Sequence, residues 1–381
     1  MVVDKSKWGK INIGQCCIIQ NGTRIVRKDT EEGQYFVYGG GGATFTTTSY
    51  NRENAIVISR FAMSKKCTRY INEKFFLNDS GLSLIPKDET ILFDYLKWNI
   101  FALNDKIYEL GKGVAQKNLD MNRFPLLLLN VPTKEEQEII AYELNAIETL
   151  IDGYNNQIKD LNEMNKSIFI NMFGDPIVNN KGWKTTKLKN VTKLITNGNT
   201  PKGGEKVYVN KGIMFFRSQN VWRNELKLDD IAYIDEETNS ALKSSILHHN
   251  DILITKTGRI NTENSSLGRP ALFTGEDNTA NINGHVYLVR LTDEVNPIYF
   301  LYALLSDSFK ELIRSVCVGA IDKRQLNRTH IEDFPVMLAP REMQEKFASL
   351  VGAIEKQKAL LREQLADAEQ LMAERMQYYF S

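Results

Sequence analysis

Two long stretches with a heptad repeat constrain this 381-residue chain more than any other feature. In the first, from Pro132 to Met172, apolar residues recur in alternating steps of four and three, which places them along one side of a helix. These residues are Ile140, Leu144, Ile147, Ile151, Tyr154, Ile158 and Leu161. About 40 residues at roughly 1.5 Å each form a rod of about 60 Å. Such a rod cannot bury its apolar side alone, so it needs a partner.

The partner is predicted to be a second copy of the same helix, from Pro340 to Tyr379. Displacing the sequence by 207 positions aligns Gln137-Glu138 with Gln344-Glu345 and restores the apolar repeat. Its members are Phe347, Val351, Ile354, Leu361 and Leu365. Matched identities on a matched repeat favour two helices that pack together as an antiparallel coiled coil. The alternative is two amphipathic helices packed on separate cores.

Each helix follows a β-rich block, and the two blocks share their edges but not their middles. Trp8 is matched by Trp183, and Phe124-Pro125 before the first helix by Phe334-Pro335 before the second. The expected fold class is therefore α+β, with two β-rich globules, each followed by a long helix, in a pseudo-two-fold duplication. The predicted domains are 1–131 and 175–339 for the globules, and 132–174 and 340–381 for the helices.

Composition narrows the functional classes. No apolar run approaches the roughly 20 residues of a membrane span and Met1–Asp4 opens no signal peptide, so we expect a cytoplasmic protein with no membrane partner. Residues 1–130 hold 18 Lys/Arg against 13 Asp/Glu, and residues 181–335 hold 21 against 18. Two mildly basic blocks are thus joined by an acidic helix. A basic excess is typical of nucleic-acid binding, although this excess alone is weak.

Motifs for catalysis are missing from the sequence. It contains no His-Glu-x-x-His metal motif and no Gly-x-Ser-x-Gly nucleophile elbow. Its four cysteines form no Cys-x-x-Cys pair. We therefore expect a protein that is not an enzyme and that needs neither a metal nor a cofactor.

The order of segments and several motifs resemble the specificity subunit of Type I restriction–modification enzymes. The motifs are Asn197-Gly198-Asn199-Thr200-Pro201, Phe216-Arg217-Ser218-Gln219-Asn220-Val221, Asp251–Gly258 and Phe334-Pro335. The likeness covers the whole chain and is stronger in its second half. In the first half, Thr23-Arg24 stands where the family usually has Thr-Pro.

The resemblance implies a division of labour. Each globule would be a target-recognition domain that reads one half of a split sequence in double-stranded DNA, and the unlike middles would mean an asymmetric target. The paired helices would fix the spacing and dock two methylation subunits, with restriction subunits joining outside them. The runner-up interpretation is a coiled-coil structural or adaptor protein whose globules bind protein.

Candidate DNA-binding residues are basic and amide side chains on loops near strand ends, which suit phosphates and base edges. In the first block they are Arg60, Lys65, Lys66, Lys112, Gln116 and Lys117. In the second block they are Arg217, Ser218, Gln219, Asn220, Lys256, Thr257, Arg259, Lys323 and Arg324. Any one of them alone is more often solvated surface, but the clustering in both blocks favours a shared role.

Overall fold

The structure is a computed structural model that describes residues 4–113, 116–260, 262, 264–320 and 322–381. The chain divides into two compact units. Unit 1 comprises Met1–Asn155 and Arg362–Ser381, and unit 2 comprises Asn156–Leu361. Each unit therefore includes part of both long helices, whereas the predicted domain boundaries separate helices from globules. Those boundaries stay predictions.

The described residues of unit 1 form ten strands, three short α-helices and parts of both long helices. The strands are β1 (Gly9–Asn12), β2 (Cys17–Asn21), β3 (Tyr35–Gly39), β4 (Gly42–Thr47), β5 (Arg52–Ser59), β6 (Thr68–Leu77), β7 (Gly81–Pro86), β8 (Gly111–Lys112), β9 (Asn118–Leu119) and β10 (Leu128–Val131). The helices are α1 (Ile13–Cys16), α2 (Phe93–Ala102), α3 (Asn104–Glu109) and the long α4 (Lys134–Phe173).

A six-stranded sheet with the order β2-β7-β5-β6-β3-β4 forms the centre of unit 1. Strand β5 carries the continuous apolar run Ala55–Ile58, which suits a strand covered on both faces. Ile56 and Ile58 pack on one face with the residues of α2, while Ala55 and Val57 pack on the other face with Phe75. The sequence of one strand thus places it between two apolar layers.

Unit 2 contains the remaining elements. Its strands are β11 (Thr185–Lys187), β12 (Thr192–Asn197), β13 (Ile213–Phe216), β14 (Val221–Trp222), β15 (Glu225–Leu226), β16 (Ala232–Ile234), β17 (Ile252–Thr255), β18 (Thr257–Gly258), β19 (Pro270–Leu272), β20 (Ala280–Ile282), β21 (Val286–Leu291), β22 (Val318–Ala320), β23 (Lys323–Gln325) and β24 (Pro335–Met337). Its helices are α5 (Glu236–Ala241), α6 (Pro297–Leu305), α7 (Asp307–Val316), α8 (Arg328–Glu332) and the long α9 (Arg341–Phe380), which continues into unit 1.

Unit 2 is built around two sheets instead of one. One has the order β12-β21-β17-β19 and the other has the order β16-β13-β20. The apolar strand β17 lies between two layers, because Ile252 and Ile254 pack toward Phe300 on α6 whereas Leu253 packs toward Phe216. Helix α6 begins at Pro297, and the side chain of Asn296 accepts hydrogen bonds from the first free backbone N–H groups.

The two units share a frame, which is the strand pair and the short helix next to each long helix, although their central sheets differ. In unit 1, β1 pairs antiparallel with β10, the strand just before α4; in unit 2, β11 pairs in the same way with β24, the strand just before α9. The hydroxyl of Tyr95 donates to the carbonyl of Asn130 over 2.9 Å, and that of Tyr299 donates to the carbonyl of Met337 over 3.0 Å. The duplication seen at the sequence edges is therefore also a duplication of contacts.

The long helices pack together in both units. In unit 1, Glu143 near the start of α4 contacts the end of α9, with its Oε1 2.8 Å from Arg375 Nε and its other oxygen accepting from the Tyr379 hydroxyl. In unit 2, the ring centroid of Phe173 at the end of α4 lies 5.7 Å from that of Phe347 near the start of α9. The start of each helix therefore meets the end of the other, and the predicted α+β fold with antiparallel helices is confirmed.

Local chemistry sets the ends of α4. The N–H of Glu136 donates to Thr133 Oγ1 over 3.3 Å, while Glu136 Oε2 accepts from the N–H of Thr133 over 3.0 Å, which is a capping box. Gly174 follows the last turn with a φ of +79°, a conformation that favours glycine at a helix end. No helix among the described residues is long and apolar enough to cross a membrane.

Candidate nucleic-acid interface

Two basic loops of unit 1 lie side by side. The backbone N–H of Met63 donates to the carbonyl of Lys117 over 2.9 Å, and that of Leu119 donates to the carbonyl of Arg60 over 2.8 Å. The loop after β5 and the β8–β9 hairpin thus lie next to each other, and between them they carry the six candidates of the first block. They are Arg60, Lys65, Lys66, Lys112, Gln116 and Lys117. Val114 and Ala115, which belong to the same predicted loop, lie outside the described residues.

These side chains differ in whether they already contact another residue of unit 1. Lys112 Nζ lies 2.7 Å from Oδ2 of the buried Asp120, and this hydrogen bond holds the pKa of that carboxyl below its usual range. Lys117 Nζ lies 4.0 Å from the ring centroid of Tyr108. Lys65 and Lys66 are exposed, and no ion pair joins them to any residue that the structure describes. They are the side chains of this group most available to a phosphate.

In unit 2, the turn after β13 is held by its own polar side chains. Asn220 is 1% exposed; its Oδ1 accepts from the N–H of Arg217 over 3.0 Å and its Nδ2 donates to the carbonyl of Lys227 over 3.1 Å. Arg217 lies 3.0 Å from the carboxylate of Asp230, and Gln219 Nε2 donates to the same carboxylate over 2.9 Å. The hydrogen bond from Gln219, followed by the charge of Arg217, lowers the pKa of Asp230.

These contacts show which of the four predicted residues 217–220 are already engaged within unit 2. Asn220 has no accessible amide to offer a base edge, so we leave it out of the proposed DNA contacts. The guanidinium of Arg217 is occupied by Asp230 and largely buried, so we leave it out as well. Ser218 is half-buried and Gln219 is exposed; only one N–H of the Gln219 amide is taken by Asp230, so both residues remain candidates.

A small sheet brings two more candidate segments together. Strand β23 pairs with β18, so that Gly258 lies opposite Arg324 and Thr257 lies opposite Gln325. The backbone of Lys256 is fixed by hydrogen bonds, since its N–H donates to the carbonyl of His285 and its carbonyl accepts from Leu326. Arg324 Nη1 donates to the carbonyl of Cys317 over 3.3 Å. Asn261 and Ile321, which also fall in these predicted loops, lie outside the described residues.

The turn, the small sheet and the following loop line one open polar pocket with a volume of about 490 Å³. Five predicted residues line it. These are Ser218, Gln219, Thr257, Arg259 and Lys323. They line one cavity although they come from three separate parts of the sequence.

The same pocket contains two residues that sequence reasoning missed, Trp222 and Arg269. The guanidinium carbon of Arg269 and Nζ of Lys227 each lie 4.0 Å from the ring centroid of Trp222. Arg269 is 6% exposed and donates from Nε to the carbonyl of Ser265 over 2.8 Å. Burial, followed by the charge of Arg223, lowers the pKa of Arg269. A basic residue next to an aromatic one, as in Trp222-Arg223 directly after the polar turn, was the available sequence signal.

The residues predicted to pair the helices are buried to different degrees. Ile140, Leu144, Ile147, Phe347, Val351, Ile354 and Leu361 are buried, and Ile151, Tyr154, Ile158, Leu161 and Leu365 are half-buried. The fully buried positions of α4 adjoin the globule cores, where Leu144 joins the core of unit 1. The half-buried positions of α4 lie toward its middle, where the globule cores no longer cover the helix.

This arrangement offers groups suited to binding. Amide, hydroxyl and guanidinium groups around an open pocket offer donors and acceptors for base edges and positive charge for phosphates. Among the described residues, no group of three or more His, Cys, Asp or Glu side chains is placed to hold a metal ion.

Comparisons with known proteins point to one family. A family model described as the Type I restriction modification DNA specificity domain matches residues 5–163 and 180–370. The chain is 23% identical over 290 residues to the Type I restriction enzyme MjaIX specificity subunit of Methanocaldococcus jannaschii, which covers 72% of this chain and 65% of that subunit. It is 20% identical over 299 residues to the MjaVIII specificity subunit of the same organism, which covers 75% of this chain and 69% of that subunit. The chain thus spans about two thirds of the length of these relatives.

A solved structure shows the same fold. The S subunit of a Type-I restriction-modification system from M. genitalium matches with a TM-score of 0.59 and 16% identity, over 98% of this chain and 96% of that chain. At this identity the likeness concerns the fold alone. The match over nearly all of both chains agrees with the duplicated globule and helix order found here.

Proposed function

The chain belongs to the family of Type I restriction–modification DNA specificity proteins, and on this premise we propose that each of its globules reads one half of a bipartite DNA target. One observation carries the proposal: the family model matches both halves of the chain, and both halves repeat one strand and helix frame around unlike centres. The shared frame suits a shared mode of DNA binding in the two globules. Unlike centres suit two different half-sequences, so the target is asymmetric.

The polar pocket of unit 2 supports a reading role for that globule. Gln219 is exposed at its rim, and an amide side chain can pair with an adenine edge through one donor and one acceptor. Lys323 is exposed on strand β23, which also lines the pocket, and supplies a positive charge for the phosphate backbone. In unit 1, the exposed Lys65, Lys66 and Gln116 take the corresponding roles.

The long helices are proposed to set the distance between half-sites and to dock the methylation subunits. Each is 40 residues long, which is about 60 Å at roughly 1.5 Å per residue. Large apolar side chains stay exposed on both, as partner surfaces require. They include Ile139 (42% exposed), Tyr142 (78%) and Leu150 (50%) on one side of α4, and Leu360 (61%) on α9. Two methylation subunits bind these faces, and restriction subunits join outside them.

The chain itself is proposed to be non-catalytic, with methyl transfer and cleavage carried out by those partner subunits. Purified full-length chain incubated with S-adenosylmethionine, magnesium, ATP and plasmid is expected to leave the DNA unchanged. Turnover that copurifies with the chain through several columns would contradict this assignment.

Methylome sequencing of cells that carry this chain with its methylation subunit tests the proposal directly. We expect methylated adenines within one asymmetric motif made of two short sequences and a fixed gap without sequence preference. A single uninterrupted motif would refute the reading by two globules. The adaptor alternative predicts no new methylation and no salt-dependent affinity for DNA.

A further inference from the structure

A narrow cleft of unit 2 lies beside the polar pocket and is lined by four basic residues. They are Arg223, Arg259, Lys310 and Arg314. The loop after β18 forms one wall and α7 forms the other. Helix α7 presents Lys310 and Arg314 one turn apart, with Ile313 between them. Only Arg259 was among the candidates from the sequence.

Charges in this cleft are not balanced by its own residues. The described residues that line it include no Asp or Glu; Glu263, on the same loop, lies outside the described residues. Partial burial lowers the pKa of Arg223, the nearby charge of Asp307 opposes this effect, and the charge of Arg314 adds to it. Glu311 pairs with Arg314 over 2.8 Å. Four cations therefore face two flanking carboxylates, and the like charges repel unless an anion joins them.

The size of the cleft limits what the anion can be. Its volume is about 10 Å³, which is room for about one water-sized group. A small-molecule ligand needs a cavity of several hundred Å³. The cleft can accept an oxygen atom of a phosphate whose remainder stays in solvent, and Arg223 is exposed enough to be reached from there.

Arg259 and Ser265 line both the cleft and the polar pocket, so the two form one continuous surface. We propose that the cleft binds a backbone phosphate of the DNA duplex directly beside the base pairs that the pocket of unit 2 reads. The inference rests on the proposed function and adds the residues that position the duplex. A phosphate held by these arginines sets the register in which Gln219 meets a base edge.

Unit 1 has a cleft of its own whose charges differ from those of the unit 2 cleft. It lies between the start of β6, the α2–α3 corner and α4, and is lined by Lys66 and Arg69 together with Glu148. Arg69 is already engaged, since its guanidinium donates to the carbonyls of Gly40 and Lys66. The strong phosphate contact is therefore assigned to unit 2 alone.

The test measures binding of the full-length chain, alone and coexpressed with its methylation subunits, to a labelled pool of random-sequence duplexes. Arg223→Ala and Arg314→Ala are each expected to weaken affinity roughly eightfold at 0.1 M salt and to flatten the salt slope by about 0.9, the effect of one lost phosphate contact. Arg223→Lys keeps the charge and should retain most of the affinity. Lys346→Ala removes an exposed charge of unit 2 on α9 and serves as the control, with less than a twofold change.

A second arm separates the cleft from the proposed function. Inorganic phosphate is expected to raise the melting temperature of the wild-type chain above that in sodium chloride of equal ionic strength, and Arg223→Ala should abolish the difference. Wild-type binding to DNA with unchanged affinity and salt slope in both alanine variants would overturn the inference. If the wild type binds no duplex, the proposed function fails, and the measurement with inorganic phosphate alone tests the cleft. Equal stabilisation of the wild type and Arg223→Ala by phosphate would then show that the cleft is not a phosphate site.

Discussion

Gln137 and Gln344 make the same hydrogen bonds at the start of the two long helices. Gln137 Oε1 accepts from the N–H of Leu92 over 2.8 Å, and Gln344 Oε1 accepts from the N–H of Asn296 over 2.8 Å. Each Nε2 donates to the carbonyl five residues earlier, which belongs to Pro132 or Ala339. Both glutamines are buried, so each fastens its helix to the short helix of its own globule.

Removing either glutamine should destabilise its own unit. Gln137→Ala and Gln344→Ala leave buried backbone N–H and C=O groups without partners, which costs about 1–3 kcal/mol each in the free energy of unfolding. Urea denaturation followed by circular dichroism measures the loss. Gln157→Ala, at an exposed position of α4, is the control and should stay within about 0.5 kcal/mol. Equal stability of all three variants would show that these hydrogen bonds contribute nothing net.

Two neighbouring residues of α4 should separate folding from assembly. Leu144 is fully buried in the core of unit 1, so Leu144→Ala should lower the free energy of unfolding by about 2–5 kcal/mol. Tyr142 is 78% exposed, so Tyr142→Ala should change stability by less than about 0.5 kcal/mol. The proposed docking face predicts that Tyr142→Ala instead reduces copurification of the methylation subunits. Normal copurification would place the docking surface elsewhere.

The two exposed pocket residues should differ in their effect on specificity. Gln219→Ala is expected to cost about 1–3 kcal/mol at the base pair that it reads and to relax the half-site there. Lys323→Ala should weaken binding to all sequences alike and flatten the salt slope by about 0.9. Methylomes give the first result and salt titrations of affinity give the second. A change of sequence preference in Lys323→Ala alone would reverse these roles.

The phenol of Tyr379 should make stability depend on alkaline pH. Burial, followed by the hydrogen bond to Glu143 and its charge, raises the pKa of Tyr379 to about 12 from an ordinary value of about 10. A raised folded-state pKa means that the contribution is complete below about pH 10 and is lost as pH rises toward 12. Melting temperature should therefore fall more steeply over this window in the wild type than in Tyr379→Phe. Parallel curves would contradict the assignment.

The proposal that the long helices set the distance between half-sites can be tested by lengthening both helices by one heptad at equivalent positions. One heptad inserted after Gln157, and one at the equivalent position after Gln364, preserves both apolar repeats. Each insertion adds about 10 Å of helix, roughly three base pairs of rise. We expect a longer gap and unchanged half-sequences in the methylome. Altered half-sequences with an unchanged gap would show that the helices do not set the spacing.

The sequence alone determined the long helices and the duplication. A heptad repeat over 40 residues is a strong periodic signal, and Thr133 and Gly174 mark the ends of α4 by local chemistry that needs no distant contact. The matched Gln137 and Gln344 also stood out as identities. Their role did not, because Leu92 and Asn296 lie more than 40 positions away in the chain.

Only the tertiary structure decided which polar side chains the fold itself engages. Arg217 and Asn220 looked like readers in the sequence, yet Asn220 is buried with its amide bonded inside the turn after β13, and Arg217 pairs with Asp230. Trp222 and Arg223 were marked in the sequence only as an aromatic residue next to a basic one, and Arg269 was not marked at all, yet Trp222 and Arg269 line the pocket and Arg223 lines the cleft. The physical reason is that strand pairing and packing bring distant segments together, while local spacing says nothing about which donors the fold itself will satisfy.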